Sequence, residues 1–101
     1  MGTMVKVARA GEIGPGEGKT VEANGREIAV FNVGGAFHAI DNTCKHRGGP
    51  LGEGELDGTV VTCPLHAWTY DVTTGECFDD PACAVQSFPV KIEGEDVLIE
   101  I

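Results

Sequence analysis

Short runs in which apolar and polar residues alternate cover most of the chain. Glycine and proline interrupt these runs about every 8–12 residues, a spacing typical of all-β domains. No window shows the periodicity of an amphipathic helix, so we expect helix to be scarce. The predicted strands are residues 4–9, 26–33, 36–41, 58–63, 68–72, 88–93 and 96–101.

Glycines between these runs predict the turns. Gly34 and Gly35 separate two strands and predict a β-hairpin, and Gly94 joins the last two strands. Residues 43–58 are too rich in glycine and proline for a strand, and we interpret them as an ordered functional loop. The pattern therefore predicts one all-β domain spanning residues 1–101, without repeats or linkers.

The composition argues against several classes of function. The 101 residues suffice for one hydrophobic core, and no apolar stretch approaches the ~20 residues that span a bilayer. A net charge of −9 argues against a nucleic-acid partner, which requires clustered lysine and arginine. The first residues do not resemble a signal peptide, so we expect a cytoplasmic protein with no membrane partner. Its four cysteines are then expected to be ligands or buried thiols rather than disulfides.

Two short motifs combine cysteine with histidine. Cys44 and His46 lie in CKHRGGPL, and Cys63 and His66 lie in CPLHAWTY, with sixteen residues between His46 and Cys63. Both motifs fall at loops between predicted strands. Two thiols with two imidazoles also make up structural zinc sites, although zinc sites usually keep cysteines together and histidines together. A nucleophilic Cys63 with His66 as its base would leave the first pair unexplained.

These motifs resemble those of Rieske [2Fe–2S] ferredoxins, in which two histidines replace two cysteines on one iron. The resemblance extends to TTGE and FPVKIEG and covers most of residues 26–101. It implies one cluster per chain, with Cys44 and Cys63 on one iron and His46 and His66 on the other. It also implies a small antiparallel β-sandwich or barrel with a cluster-binding subdomain at about residues 40–70.

Residues around the expected ligands would support the cluster. Gly48 and Gly49 would let backbone N–H groups approach the sulfurs, and Pro64 would restrict the second loop. Tyr70 would donate its hydroxyl to a ligand cysteine sulfur, as in the family, or would simply close the core. These contacts would tune the cluster without binding iron.

Two departures from high-potential members of the family favour a low reduction potential. Trp68 stands where those members carry a serine that donates to a sulfide, and Gly49 and Leu65 stand where they carry a disulfide. With one fewer hydroxyl donor, the potential is expected near the low end of the Rieske range, about −150 mV. The departures therefore favour a soluble ferredoxin over a quinol-oxidising complex.

The two histidines are expected at one end of the molecule, where a partner would dock. Lys45 and Arg47 bracket His46 and would give this end a local positive charge within an acidic body. Apolar residues would surround the histidines and exclude water from the contact. These residues are Pro50, Leu51, Pro64, Leu65 and Trp68.

The function implied by the resemblance is one-electron transfer from a flavin reductase to the terminal oxygenase of a ring-hydroxylating dioxygenase-type system. The chain would then be a component of a multicomponent oxidoreductase rather than an enzyme itself. The first alternative is a fixed subunit similar to the small subunit of NAD(P)H-dependent nitrite reductase, and a structural zinc module is the second. Of the remaining candidates, Cys77 and Cys83 are interpreted as packed or partly buried thiols, with a disulfide between them as the alternative, and His38 as a surface residue of a strand.

Overall fold

A computed structural model describes residues 3–43, 49–64 and 68–101 of the protein. Within these ranges the chain forms ten strands, all paired antiparallel, and three short 3₁₀-helices at Ala10–Glu12, Leu51–Glu53 and Pro81–Cys83. None of these helices is long and apolar enough to cross a bilayer. The all-β fold and the scarcity of helix are confirmed. The strands are β1 Met4–Arg9, β2 Gly18–Ala23, β3 Arg26–Val33, β4 Ala36–Asp41, β5 Glu55–Asp57, β6 Val60–Thr62, β7 Thr69–Asp71, β8 Ser87–Phe88, β9 Val90–Glu93 and β10 Asp96–Glu100.

The strands form three sheets, in the orders β1-β10-β9, β2-β3-β4-β8 and β5-β6-β7. The predicted hairpin between β3 and β4 is present, and both of its turn glycines, Gly34 and Gly35, have positive φ. A left-handed backbone at both positions suits glycine, which has no Cβ to clash with the carbonyl.

In the central sheet β2-β3-β4-β8, strand β3 is buried on both faces. In β3, Ile28 and Val30 pack with β10, whereas Ala29 and Phe31 pack with β6 and β7. Because successive side chains of a strand point to opposite faces, one strand supplies residues to two hydrophobic clusters. We call the cluster that includes Val97 and Ile99 the body core, and the cluster that includes Val61 and Tyr70 the site core.

Two strands were not expected from the sequence. Strand β2 was not predicted, and β5 lies within residues 43–58, which were predicted to contain no strand. That prediction is wrong for residues 55–57, because glycine permits the pairing there rather than preventing it. A Cβ on Gly54 would clash with the backbone oxygen of Thr62, so only glycine lets the chain approach β6 this closely.

Candidate metal centre

Cys63 lies directly after β6, at the base of a tight hairpin. The β6–β7 ladder pairs Thr62 with Thr69, and the Cys63 N–H then donates to the Trp68 carbonyl at 2.8 Å. The side chain of Cys63 is buried, with 1% of its surface exposed. The hairpin therefore places the thiol at one end of a short connection, 64–67, that also contains His66 in the sequence.

The segment that contains the first motif is closed at its base in a similar way. Thr43 forms an antiparallel bridge with Pro50, and the Leu51 N–H donates to the Asn42 carbonyl at 2.7 Å. Cys44 and His46 thus belong to a connection whose two ends are held together. Closing both connections lowers the entropy lost when four ligands are brought to one site.

Asn42 is a positioning residue that the sequence analysis missed. It is 3% exposed, and its Oδ1 accepts hydrogen bonds from the Gly52 N–H at 2.8 Å and the Thr20 hydroxyl at 3.0 Å. These contacts join the base of the first connection to β2. The signal in the sequence was an asparagine two residues before Cys44, at a position where a side-chain amide commonly organises a turn.

Both connections end in the site core, which contains Leu51, Cys63, Tyr70 and Cys77. Leu51 was predicted to border the docking surface, and this prediction is wrong, because the residue is 0% exposed. Its side chain instead fixes the 3₁₀-helix that follows the first connection against the same cluster as Cys63. The burial explains why a leucine occurs in a glycine-rich loop.

The residues predicted around the ligands occupy different environments. Tyr70 is fully buried in the site core, Trp68 is partly buried against it, and Gly49 is buried. Pro64 and Pro50 are more accessible, with Pro64 exposed and Pro50 half-buried. Tyr70 therefore lies in the same cluster as Cys63, and its expected hydrogen bond to a ligand sulfur stays a prediction.

The other predicted site residues lie outside the described ranges. Of the four expected ligands only Cys63 is described, and no three His, Cys, Asp or Glu side chains of residues 3–43, 49–64 and 68–101 form a metal site. The chemistry of the set fits a [2Fe–2S] cluster, because a buried thiol sits at one closed connection and the remaining donors belong to the two closed connections. The predicted residues outside the described ranges are Cys44, Lys45, His46, Arg47, Gly48, Leu65 and His66.

The two cysteines outside the motifs form no disulfide within the described residues. Cys77 is buried in the site core, and Cys83 is half-buried with its Sγ 3.8 Å from Oδ2 of Asp80. The interpretation of both as packed thiols is confirmed. His38 is half-buried on β4, where it pairs with Phe31 across the sheet.

Comparison with known proteins gives a family. The family model described as the Rieske [2Fe–2S] domain matches residues 3–89. The biphenyl 2,3-dioxygenase ferredoxin component of Rhodococcus jostii (strain RHA1) is 40% identical over 97% of this chain and 92% of its own length.

Two solved structures extend the comparison. A chain in the complex of reduced oxygenase and oxidised ferredoxin in carbazole 1,9a-dioxygenase is 34% identical, with a TM-score of 0.87 over 96% of this chain and 92% of its own. A putative NADH-dependent nitrite reductase small subunit from Mycobacterium tuberculosis has a TM-score of 0.92 over 100% of this chain and 96% of its own, but only 21% identity, so it shows the fold alone. The protein therefore belongs to the Rieske [2Fe–2S] domain family, whose cofactor is a [2Fe–2S] cluster.

Proposed function

We propose that this protein is a soluble one-electron carrier that delivers electrons to the terminal oxygenase of a ring-hydroxylating dioxygenase system. The observation that carries the proposal is the 40% identity to a dioxygenase ferredoxin component over nearly the full length of both chains. A complex of oxygenase and ferredoxin from a second system contains a chain of the same fold. The nitrite reductase alternative has a shared fold in its favour, at 21% identity.

In this proposal Cys44 and Cys63 hold one iron, and His46 and His66 hold the other. When bound, the cluster supplies a one-electron couple at the end of the molecule. The hairpin base formed by Cys63 and Trp68 fixes the backbone of one thiolate, and the bridge between Thr43 and Pro50 restrains the segment that carries the other. A cluster-binding subdomain at about residues 40–70 is part of the proposal.

The side chains around Cys63 control access of water. Val61 and Tyr70 are fully buried beside it, so one side of the thiol faces an apolar core. Low polarity there strengthens every hydrogen bond and charge interaction that involves the sulfur. The expected hydrogen bond from the Tyr70 hydroxyl would then stabilise the thiolate and raise the reduction potential of the cluster.

Docking at the cluster end would use Lys45, Arg47, Pro50 and Leu65 around the histidines. A small contact suits a carrier, because the complex must dissociate after each transfer. Charge-assisted orientation through Lys45 and Arg47 would weaken with added salt.

The proposal includes a flavin-dependent reductase as electron donor and a cytoplasmic location. Cys77 and Cys83, the described cysteines outside the motifs, form no disulfide, which agrees with a reducing compartment, since oxidising compartments favour disulfides.

Reconstitution tests the function directly. The biphenyl 2,3-dioxygenase system of Rhodococcus jostii, prepared without its ferredoxin component, should form product when this protein is added. Protein with Cys63→Ser, which loses a ligand, should not restore product formation. Fully loaded wild-type protein that is reduced but never reoxidised by the oxygenase, in an assay where the native ferredoxin succeeds, would contradict the proposal.

A further inference from the structure

One face of the β5-β6-β7 sheet is covered by the site core, and the residues of the opposite face are exposed or half-buried. The register places Leu56, Val61, Tyr70 and Cys77 in one row, and the last three of these are buried. Since neighbours along a strand point to opposite faces, the residues on either side of this row point away from the core. We call them the outer sheet face: Glu55, Asp57, Val60, Thr62, Thr69, Asp71, Glu76 and Phe78.

Phe78 is the exposed aromatic residue of this face. Its side chain is 56% exposed, more than that of any other large apolar residue in the described ranges. A single exposed apolar side chain is common on protein surfaces and by itself indicates nothing. Two further features distinguish this one, namely its rigid support and the charge around it.

The support consists of hydrogen bonds on both sides of Phe78. Its N–H donates to the Thr69 carbonyl at 2.9 Å, and the Asp79 carboxylate accepts from the Thr69 N–H at 2.7 Å and the Thr69 hydroxyl at 3.0 Å. Asp80 then caps the next 3₁₀-helix by accepting from the Ala82 N–H. An aromatic side chain on a backbone that is already ordered loses little entropy when it binds a partner.

The charge of the outer sheet face is entirely negative in the part of the chain that the structure describes. Glu55, Asp57, Asp71 and Glu76 lie on it. The described lysines and arginines lie elsewhere, each within 3.6 Å of a carboxylate that is not on this face. The negative charge of the outer sheet face is therefore not neutralised by the described cations.

We propose that the outer sheet face receives a basic redox-partner protein, with Phe78 in an apolar socket and the carboxylates facing lysine or arginine side chains of that partner. The proposal rests on the proposed carrier function and adds a second contact to its cluster end. The two contacts are continuous, because Thr62 and Thr69 of this face directly adjoin Cys63 and Trp68 at the hairpin base. A partner on this face would therefore lie beside the cluster-binding loops.

Matched variants separate this contact from a general effect of charge. Asp57→Asn with Glu76→Gln removes two exposed carboxylates from the face, and Glu22→Gln with Glu100→Gln removes two from strands of the other sheets. Phe78→Ser is matched by Ile92→Ser on β9, where the side chain is 43% exposed. The probe is cytochrome c, a small basic protein that accepts one electron.

Two measurements are made with each variant: the affinity of the oxidised protein for oxidised cytochrome c by calorimetry, and the bimolecular rate of electron transfer by stopped flow. We expect affinity and rate to fall roughly fivefold at low salt in the variants of the outer sheet face. Asp57→Asn with Glu76→Gln should also weaken the dependence of affinity and rate on salt. Phe78→Ser should lower both quantities at every salt concentration. The control pairs should change little, and the reduction potential should stay constant throughout.

Equal effects of the face and control variants, or no effect of either, would overturn this inference while leaving the carrier function intact. A wild-type protein without a reducible cluster would overturn both.

Discussion

The two sides of the central sheet differ in how they are built. The body core joins β3 to a sheet of strands four to six residues long, and these strands carry the alternating pattern read from the sequence. The site core joins the same strand to β5, β6 and β7, each three residues long. Regular alternation therefore specifies the body, whereas the site depends on turns, glycines and buried side chains brought from distant positions.

The described ion pairs follow the same division. Ion pairs such as Lys6–Asp96 and Lys19–Glu12 lie on strands and turns of the body. The outer face of the short sheet instead presents carboxylates without a described cation. The body also has carboxylates outside these ion pairs, among them Glu22 and Glu100, so the two sides differ in their cations, which among the described residues lie outside the short sheet.

The largest effect is expected from removing a ligand on the site side. Cys63→Ala should abolish the cluster, since metal affinity and local folding are coupled. Cys63 belongs to the site core and not to the body core, so the body core should remain folded. Iron and sulfide content, with amide hydrogen exchange on β3 and β10, measure the two outcomes. Loss of protection in β10 together with the cluster would refute the independence of the two sides.

Two buried valines, one in each core, test whether the cores differ in their effect on the cluster. Val61 and Val97 are both 0% exposed, one in each core. Replacement by alanine should cost about 2 kcal/mol of unfolding free energy in either case, from lost burial and the cavity left behind. Only Val61→Ala should speed loss of the cluster below the unfolding temperature, measured by bleaching of its absorbance. Equal bleaching in both variants would count against separate cores.

A smaller effect is expected from the hydroxyl of Tyr70. Tyr70→Phe keeps the buried ring but removes the predicted donor to a ligand sulfur. A hydrogen bond of about 0.5–1.5 kcal/mol corresponds to roughly 20–65 mV for a one-electron couple, so the potential should fall by that amount. Voltammetry of the wild type should also give a value near −150 mV, the low end of the Rieske range. An unchanged potential in the variant would leave Tyr70 with a packing role only.

The smallest effect concerns an exposed pair of the body. The pKa of Glu12 is lowered from its ordinary value, chiefly by the hydrogen bond from Lys19 and then by that from the Arg9 backbone. A lowered folded-state pKa stabilises the protein above the unfolded pKa, and this contribution disappears as the pH falls through the folded value. Lys19→Met should therefore raise the pKa of Glu12, measured by carboxyl NMR, without altering the cluster. An ordinary pKa in the wild type would contradict the assignment.

The sequence predicted the body better than the site for a physical reason. β3 and β4 carry long apolar runs around a glycine turn, so their bounds were predicted to the residue. β5 was missed because its pairing depends on Gly54, whose importance appears only when Thr62 approaches it. The burial of Leu51 and the bonds of Asn42 also require the three-dimensional arrangement. The two cysteine–histidine motifs were recognisable because each spans only a few residues, so no tertiary contact is needed to identify it.

Identifying the histidines that bind the cluster tests the proposed ligand set most directly. The chain has three histidines, and the account assigns His46 and His66 to iron and no metal to His38. Pulsed EPR of the reduced protein labelled with ¹⁵N-histidine should show strong nitrogen coupling that persists in His38→Asn. His46→Cys and His66→Cys should each either remove one of the couplings or lose the cluster. A reduced cluster without histidine coupling, or with coupling that vanishes in His38→Asn, would contradict the account.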